Sequence, residues 1–358
     1  MFESFGFEEL TARQASVWLG LGIGVLFGVM AQISRFCFRR AVAGPLDERR
    51  SAAGVWAAAL ALSVLGTQGA VAMGWISFEG HRFFAPDLPW LAVTLGGLAF
   101  GAGMVLTRGC VSRLTVLGGT GNLRALTVLL VFAVTAHATL KGILAPLRTT
   151  LGSATLSVGE TASLAALPGG TWLWTGLIAA ACLAFAALSR ARPRDLALGA
   201  LIGLLAPLAW VGTGFLLYDD FDPIAMESLS TTLPSADSLF WLIASSSIPP
   251  GFGAGLMGGI LAGALLAALT RREFALQSFT SPRQTGRYMA GAVLMGLGGV
   301  LAGGCTLGAG LSGVGTLSLA ALLALAAIAL GATVTVRLLG EANATSSGSA
   351  APQARPAQ

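Results

Sequence analysis

Cysteine is the residue type in this 358-residue chain with chemistry left over once packing is accounted for, and there are four. Three share a setting: Cys37 in SRFCFRRA, Cys110 in RGCVSR and Cys305 in GGCTLG, each closing an apolar segment beside Arg or Gly. Cys182, in AAACLAFAAL, lies inside an apolar run and reads as a small hydrophobe. No pair has C-x-x-C spacing, and the two histidines, His81 and His137, are distant in sequence, so no metal site is expected. A thiol is a weak donor and a soft, polarizable partner. It suits a sulfur-bearing ligand better than the hard oxygens of sulfate. Three thiols in succession would make weak contacts, and a permeant species must not be held too tightly if it is to leave. Arg35, Arg39, Arg108 and Arg113 would raise the local potential for an anion, or else only anchor helix ends. The candidate substrate-binding set is Cys37, Cys110 and Cys305 with Arg113, Gly109, Gly304 and Thr306 beside them. No catalytic residue and no cofactor is expected.

The elements that must position these residues follow from composition. Hydrophobic residues are 55% of the chain and charged ones 10%, against about 25% charged in soluble proteins. The 49 glycines are about twice the usual share. This is the composition of an all-α polytopic membrane protein, and it excludes a chain of soluble domains. The net charge of +5 forms no basic stripe with aromatics, so nucleic acid is not a partner; the lipid bilayer is. Runs long enough to span a bilayer fall at about 17–34, 52–76, 90–107, 122–144, 172–189, 196–217, 251–270, 287–304 and 316–338. Arg35, Arg39, Arg40, Arg49 and Arg50 follow the first, Arg190, Arg192 and Arg194 the fifth, and Arg271, Arg272, Arg283 and Arg287 the seventh or open the eighth. Loops 77–89 and 218–249 are poor in basic residues. The positive-inside rule then places the N-terminus outside and the C-terminus in the cytoplasm. Residues 1–16 lack the basic start of a cleaved signal, and 340–358 read as a disordered tail.

Self-similarity sharpens the picture. GAGMVLTRGC, ending at Cys110, and GLGGVLAGGC, ending at Cys305, share G-x-G-x-V-L-x-x-G-C, six identities in ten. Spans three and eight are therefore equivalent, yet charge runs them in opposite directions. Spans one to four would repeat as six to nine, inverted, with span five as linker. The division is 17–144, a connecting segment 145–195, and 196–339. The slot matching Cys37 falls near Gly212, without a thiol. Inverted repeats are the mark of many secondary transporters, with interrupted helices at the substrate site, so the segments ending at Cys110 and Cys305 are expected to break near the membrane midplane. Gly20, Gly24 and Gly28, and Gly255, Gly259 and Gly263, spaced by four, are helix-packing faces. His137 and Lys141 share a face near the outer end of span four, as a packed His and a snorkelling Lys.

The chain resembles the YeeE/YedE family of membrane proteins over 15–339. The resemblance rests on SRFCFR (34–39), GMVLTRGCVSRLTVLGG (103–119), ATLKGILAP (138–146), SADSLFWL (235–242) and GGVLAGGCTLGAGLSG (298–313). It implies nine spans plus short broken helices around a central constriction. It also implies passage of thiosulfate between thiols, here Cys37, Cys110 and Cys305. Family members carry a further functional cysteine in the second half; 228–250 has none, and Ser245 to Ser247 lie near where one would be sought. The leading expectation is a thiosulfate or related sulfur-anion transporter of the inner membrane, and not an enzyme. The alternatives are a membrane relay carrying persulfide to a cytosolic sulfur-carrier or sulfurtransferase, which the arginines around Cys37 would suit, and a transporter of selenium species. Selenium or metal-ion transport is disfavoured by the lack of midplane Asp or Glu. No nucleotide-binding loop is present, so ATP hydrolysis would need another subunit.

Overall fold

The computed structural model describes residues 11–219 and 222–347. Residues 1–10 and 348–358, which hold much of the expected N-terminal segment and tail, lie outside them. Thirteen α-helices follow in order: α1 (Ala12–Ser34), α2 (Phe38–Ala43), α3 (Leu46–Ala72), α4 (Trp90–Leu106), α5 (Val111–Gly119), α6 (Leu123–Lys141), α7 (Ala145–Gly152), α8 (Gly170–Leu188), α9 (Pro193–Val211), α10 (Thr232–Ile243), α11 (Phe252–Thr270), α12 (Pro282–Leu301) and α13 (Leu319–Ser347). Two π-helical segments, Gly212–Leu216 and Thr306–Gly313, extend α9 and follow α12. Among the described residues, nine stretches are long and apolar enough to cross a membrane, so the chain is an all-α multi-pass membrane protein. The helices outrun the apolar segments where caps allow it. At α1, Thr11 and Gln14 form a reciprocal capping box. At α3, Asp47 and Glu48 sit at the positive end of the helix.

The helix contacts come in matched sets. α1 lies along α11 as α9 lies along α3; α4 lies along α13 as α12 lies along α6; α4 crosses α12 and α1 crosses α9. Exchanging spans one to four for six to nine maps this set onto itself. The short helices obey the same exchange. α2 touches α3, α4 and α13, and α10 touches α11, α12 and α6. α5 touches α1, α6 and α11, and the π-helical segment 306–313 touches α9, α13 and α3. α3 and α9 both start among the arginine-bearing loops and end at the other side, whereas α4 and α12 run oppositely, as an inverted repeat requires. Glycine makes a tight seam between α1 and α11: Gly20, Gly24 and Gly28 face Gly255, Gly259 and Gly263 with backbone against backbone. α8, the linker span, buries only Thr175, Ala179 and Ala186, leaving most of its surface for lipid.

Candidate functional site

Each of the three related cysteines sits at a chain elbow of one design. A helix stops, a residue two before the cysteine turns left-handed, and the cysteine itself is extended and caps the next short helix. The left-handed residues are Arg35 (φ 52°), Arg108 (φ 60°) and Gly303 (φ 72°). Cys37, Cys110 and Cys305 are the N-caps of α2, α5 and the π-helical segment. An L-residue in this conformation costs about 1–2 kcal/mol, so two elbows hold arginines where glycine would be easier. Spans one, three and eight are thereby interrupted at their thiols, and at Cys305 the Gly308 N–H of the following turn donates to the sulfur. The intermediate positions are Phe36, Gly109 and Gly304. A Cβ at Gly304 would come within 2.9 Å of the Ala309 nitrogen, whereas at Gly109 it would meet only ordinary contacts. Glycine is a steric need at Gly304 alone.

The thiols are 5%, 1% and 1% exposed and belong to one contiguous core. Cys37 and Cys110 lie side by side and interact through their side chains, and Cys110 Sγ is 3.2 Å from Ser112 Oγ. Cys305 has no thiol neighbour; its Sγ lies 3.2 Å from Thr231 Oγ1 and accepts from the Gly308 N–H at 3.4 Å. Thr231 is the N-cap of α10, the counterpart of α2. It, and not Gly212, therefore occupies the slot that matches Cys37. Gly212 opens a π-helical turn in α9, and Ser245 to Ser247 lie exposed in the turn after α10, so neither supplies a fourth thiol position. Arg113, on the first turn of α5, donates to the Ala31 carbonyl and Gln32 Oε1, each at 3.3 Å, and its charge reaches Cys37 and Cys110. Thr306 is buried as the first residue of its π-helical segment. Cys182 is half-buried on α8, apart from the others.

Cavities lead toward this buried layer from opposite ends of α3 and α9. The first, about 450 Å³, reaches Cys37 and is lined by Arg35, Arg40, Arg192, Arg194 and Arg271. The second, about 330 Å³, is lined by Arg82, Trp210, Glu227, Ser230 and Gly308, the last being the residue that donates to Cys305. Its wall is bolted to the π-helical segment by hydroxyls. Thr213 bridges the N–H and carbonyl of Glu227 at 2.9 and 2.7 Å, Ser228 meets Ser312 at 3.0 Å, and Ser312 donates to the Leu229 carbonyl at 2.8 Å. His81 packs between Phe78, Phe83 and Trp210. Burial, with the Arg82 charge beside it, pushes its imidazole down to about 4. Sequence reasoning used loop 218–249 only for topology; the structure brings its Glu227 and Asp237 to cavities at this end. His137 and Lys141 also line a cavity there, His137 stacked on Phe240 at 4.4 Å.

Two proteins named thiosulfate transporter TsuA are similar to this chain. The one from Escherichia coli (strain K12) is 28% identical over 318 residues, covering 82% of this chain and 86% of its own length. The one from Spirochaeta thermophila is 28% identical over 308 residues, covering 82% of this chain and 89% of its own. The match to a family, described as sulphur transport, runs over residues 33–334. It takes in all three elbows and the spans from the second through most of the ninth, and with it the chain belongs to the sulphur transport family.

Proposed function

We propose that this protein takes up thiosulfate, or a closely related inorganic sulfur anion, across the cytoplasmic membrane along a path past Cys305, Cys110 and Cys37. The observation that carries this reading is the repeated elbow, which sets three buried thiols on interrupted helices between two cavities while Cys182 stands aside. The names and extent of the two relatives support the substrate. The terminal sulfur of thiosulfate is soft and negatively charged, so it accepts weakly from a thiol, while its oxygens need the backbone N–H groups and arginine charge nearby. Weak successive contacts favour passage over capture. The arginine-rich end with the first cavity faces the cytoplasm by the positive-inside rule, which puts the N-terminus outside and makes that cavity the exit. A cytosolic sulfur carrier would meet the anion there.

Uptake of labelled thiosulfate by cells expressing single variants tests the path. Cys37→Ala, Cys110→Ala and Cys305→Ala should each abolish most uptake with little change in melting temperature, because losing one sulfur leaves a small cavity. Serine should rescue poorly, being hard where the thiol is soft. Cys182→Ala should transport normally. Full uptake in both Cys110→Ala and Cys305→Ala would end the thiol-path reading. The adjacent thiols of Cys37 and Cys110 also suit the relay reading; a persulfide found on either after turnover, by mass analysis, would favour relay over permeation.

A further inference from the structure

The second cavity contains a contradiction for an anion path: a carboxylate at its wall. Three donors converge on it. Arg82 makes no hydrogen bond or ion pair with any described residue and rests over the Phe83 ring at 5.1 Å. Trp210 Nε1 and Ser230 Oγ are buried and lack partners. The two buried donors are costly without acceptors, and an oxyanion beside the exposed Arg82 would satisfy all three. Yet Glu227 is the one acidic residue among the described lining. It cannot withdraw with its backbone, because Thr213 holds both its N–H and its carbonyl. The same side chain, with Pro234, also lines a neighbouring cavity of about 480 Å³ that holds Asp237, His137 and Lys141.

We propose that Glu227 is a proton-binding site linked to anion binding, so that an oxyanion settling beside Arg82 brings one proton from the medium onto the Glu227 carboxylate. The inference rests on the reading that an anion enters through this cavity. Among the described residues, six charged or titratable groups face the two cavities: His81 and Arg82 from the loop after α3, Glu227 before α10, Asp237 on α10, and His137 and Lys141 on α6. His81 is a poor acceptor, since charging it would bury a cation among aromatic rings and beside Arg82. Glu227 is the better one. Its partial loss of water and the charge of Asp237 push its carboxyl up to about 6, against the pull of Arg82. An arriving dianion adds negative charge beside it and engages Arg82, and both changes favour the protonated form further. Asp237 is also pushed up by burial, but Lys141 and His137 pull it back, and it does not line the donor-bearing cavity. The neutral carboxyl then has an O–H to donate, which turns the repulsive group into a fourth donor to the anion.

The test uses the full-length protein in lipid nanodiscs with thiosulfate and sulfate as probes. Affinity is followed by calorimetry from pH 6 to 8, and proton uptake by repeating the titration in buffers of different ionisation enthalpy. For one linked proton, affinity should weaken by up to about tenfold per pH unit once the pH passes the carboxyl pKa of the free protein, and uptake at pH 7 should approach one proton per anion. Glu227→Gln should bind with no proton uptake and a flat pH profile. Asp237→Asn should keep the uptake, and Arg82→Gln should weaken binding at least tenfold at every pH. Binding without proton uptake, uptake surviving in Glu227→Gln, or binding of neither probe overturns the proposal. Proton-linked binding of sulfate with none of thiosulfate would leave the linkage standing and refute the thiosulfate reading instead.

Discussion

Replacing Gly24 by alanine should force open the seam between α1 and α11. The new Cβ would lie 2.4 Å from the Leu256 carbonyl oxygen and 2.9 Å from the Gly259 Cα, both backbone atoms. Carbon atoms in contact settle at about 3.5 Å or more, so the two helices must separate by on the order of 1 Å. Neither contact belongs to a side chain that could rotate away. Overpacking of this kind costs about 1–3 kcal/mol, and alanine's better helix propensity returns at most about 1 kcal/mol. With the middle of that range and the full propensity gain, the net loss is about 1 kcal/mol. Gly22, on the same helix, offers the control: a Cβ there meets nothing within 4 Å, so Gly22→Ala keeps the propensity gain without the clash. The assay is the apparent melting temperature of detergent-solubilised protein by fluorescence-detected size exclusion, at one heating protocol so that any irreversible step weighs equally on both variants. Gly24→Ala should melt several degrees lower, and Gly22→Ala at or above the parent. Equal melting of the two variants would refute the close-approach argument, and with it the assignment of this seam to glycine.

Gly303→Ala should cost about 1 kcal/mol from its left-handed backbone and lower uptake, whereas Arg108→Gly, relaxing the same conformation at the matching elbow, should leave melting nearly unchanged; equal losses in melting temperature would contradict the shared-elbow account. Thr231→Cys should give a second thiol beside Cys305 that transports in reductant and is silenced reversibly by a disulfide-forming oxidant, while Thr231→Val lowers uptake; no change in either variant would dismiss Thr231 as the counterpart of Cys37. His81 is held neutral by burial, with its imidazole down at about 4. Its free form takes a proton near 6.5, so the unfolded chain gains protons first and stability falls as pH drops from about 6.5 to about 4. Melting temperature should decline over that window and decline less in His81→Phe; an unchanged slope would remove His81 as the cause.

Nine spans and the inverted repeat were legible because each rests on a strong local signal. Twenty apolar residues between arginines have few other uses, and ten positions around Cys110 and Cys305 shared enough identity to betray the exchange of halves. The structure adds α10, and with it the true partner of Cys37. That correspondence was hidden because threonine is a different residue type from cysteine, and the 20 positions between α9 and α10 carry no repeat. Only the matched contacts of α2 and α10 reveal it. The left-handed arginines were equally hidden, since nothing in sequence favours Arg over Gly in that conformation. The vestibule at Arg82 and Glu227 was missed for a different reason. Its residues lie some 145 positions apart and meet only when the loops after α3 and α9 close over the π-helical segment.

On the proposed path, water and salt filling the two cavities would carry each bulk potential inward to the faces of the buried layer around Cys110 and Cys305. The voltage across the membrane would then drop over that layer, as a concentrated field. Moving one elementary charge through it is worth about 2.3 kcal/mol per 100 mV, so a dianion entering a negative interior works against about 4.6 kcal/mol per 100 mV. A proton travelling with it would halve that barrier, and two would cancel it. On the proposed path, a seal of thiols, which carry no fixed charge when protonated, would leave this electrical work to be met by whatever crosses beside the anion.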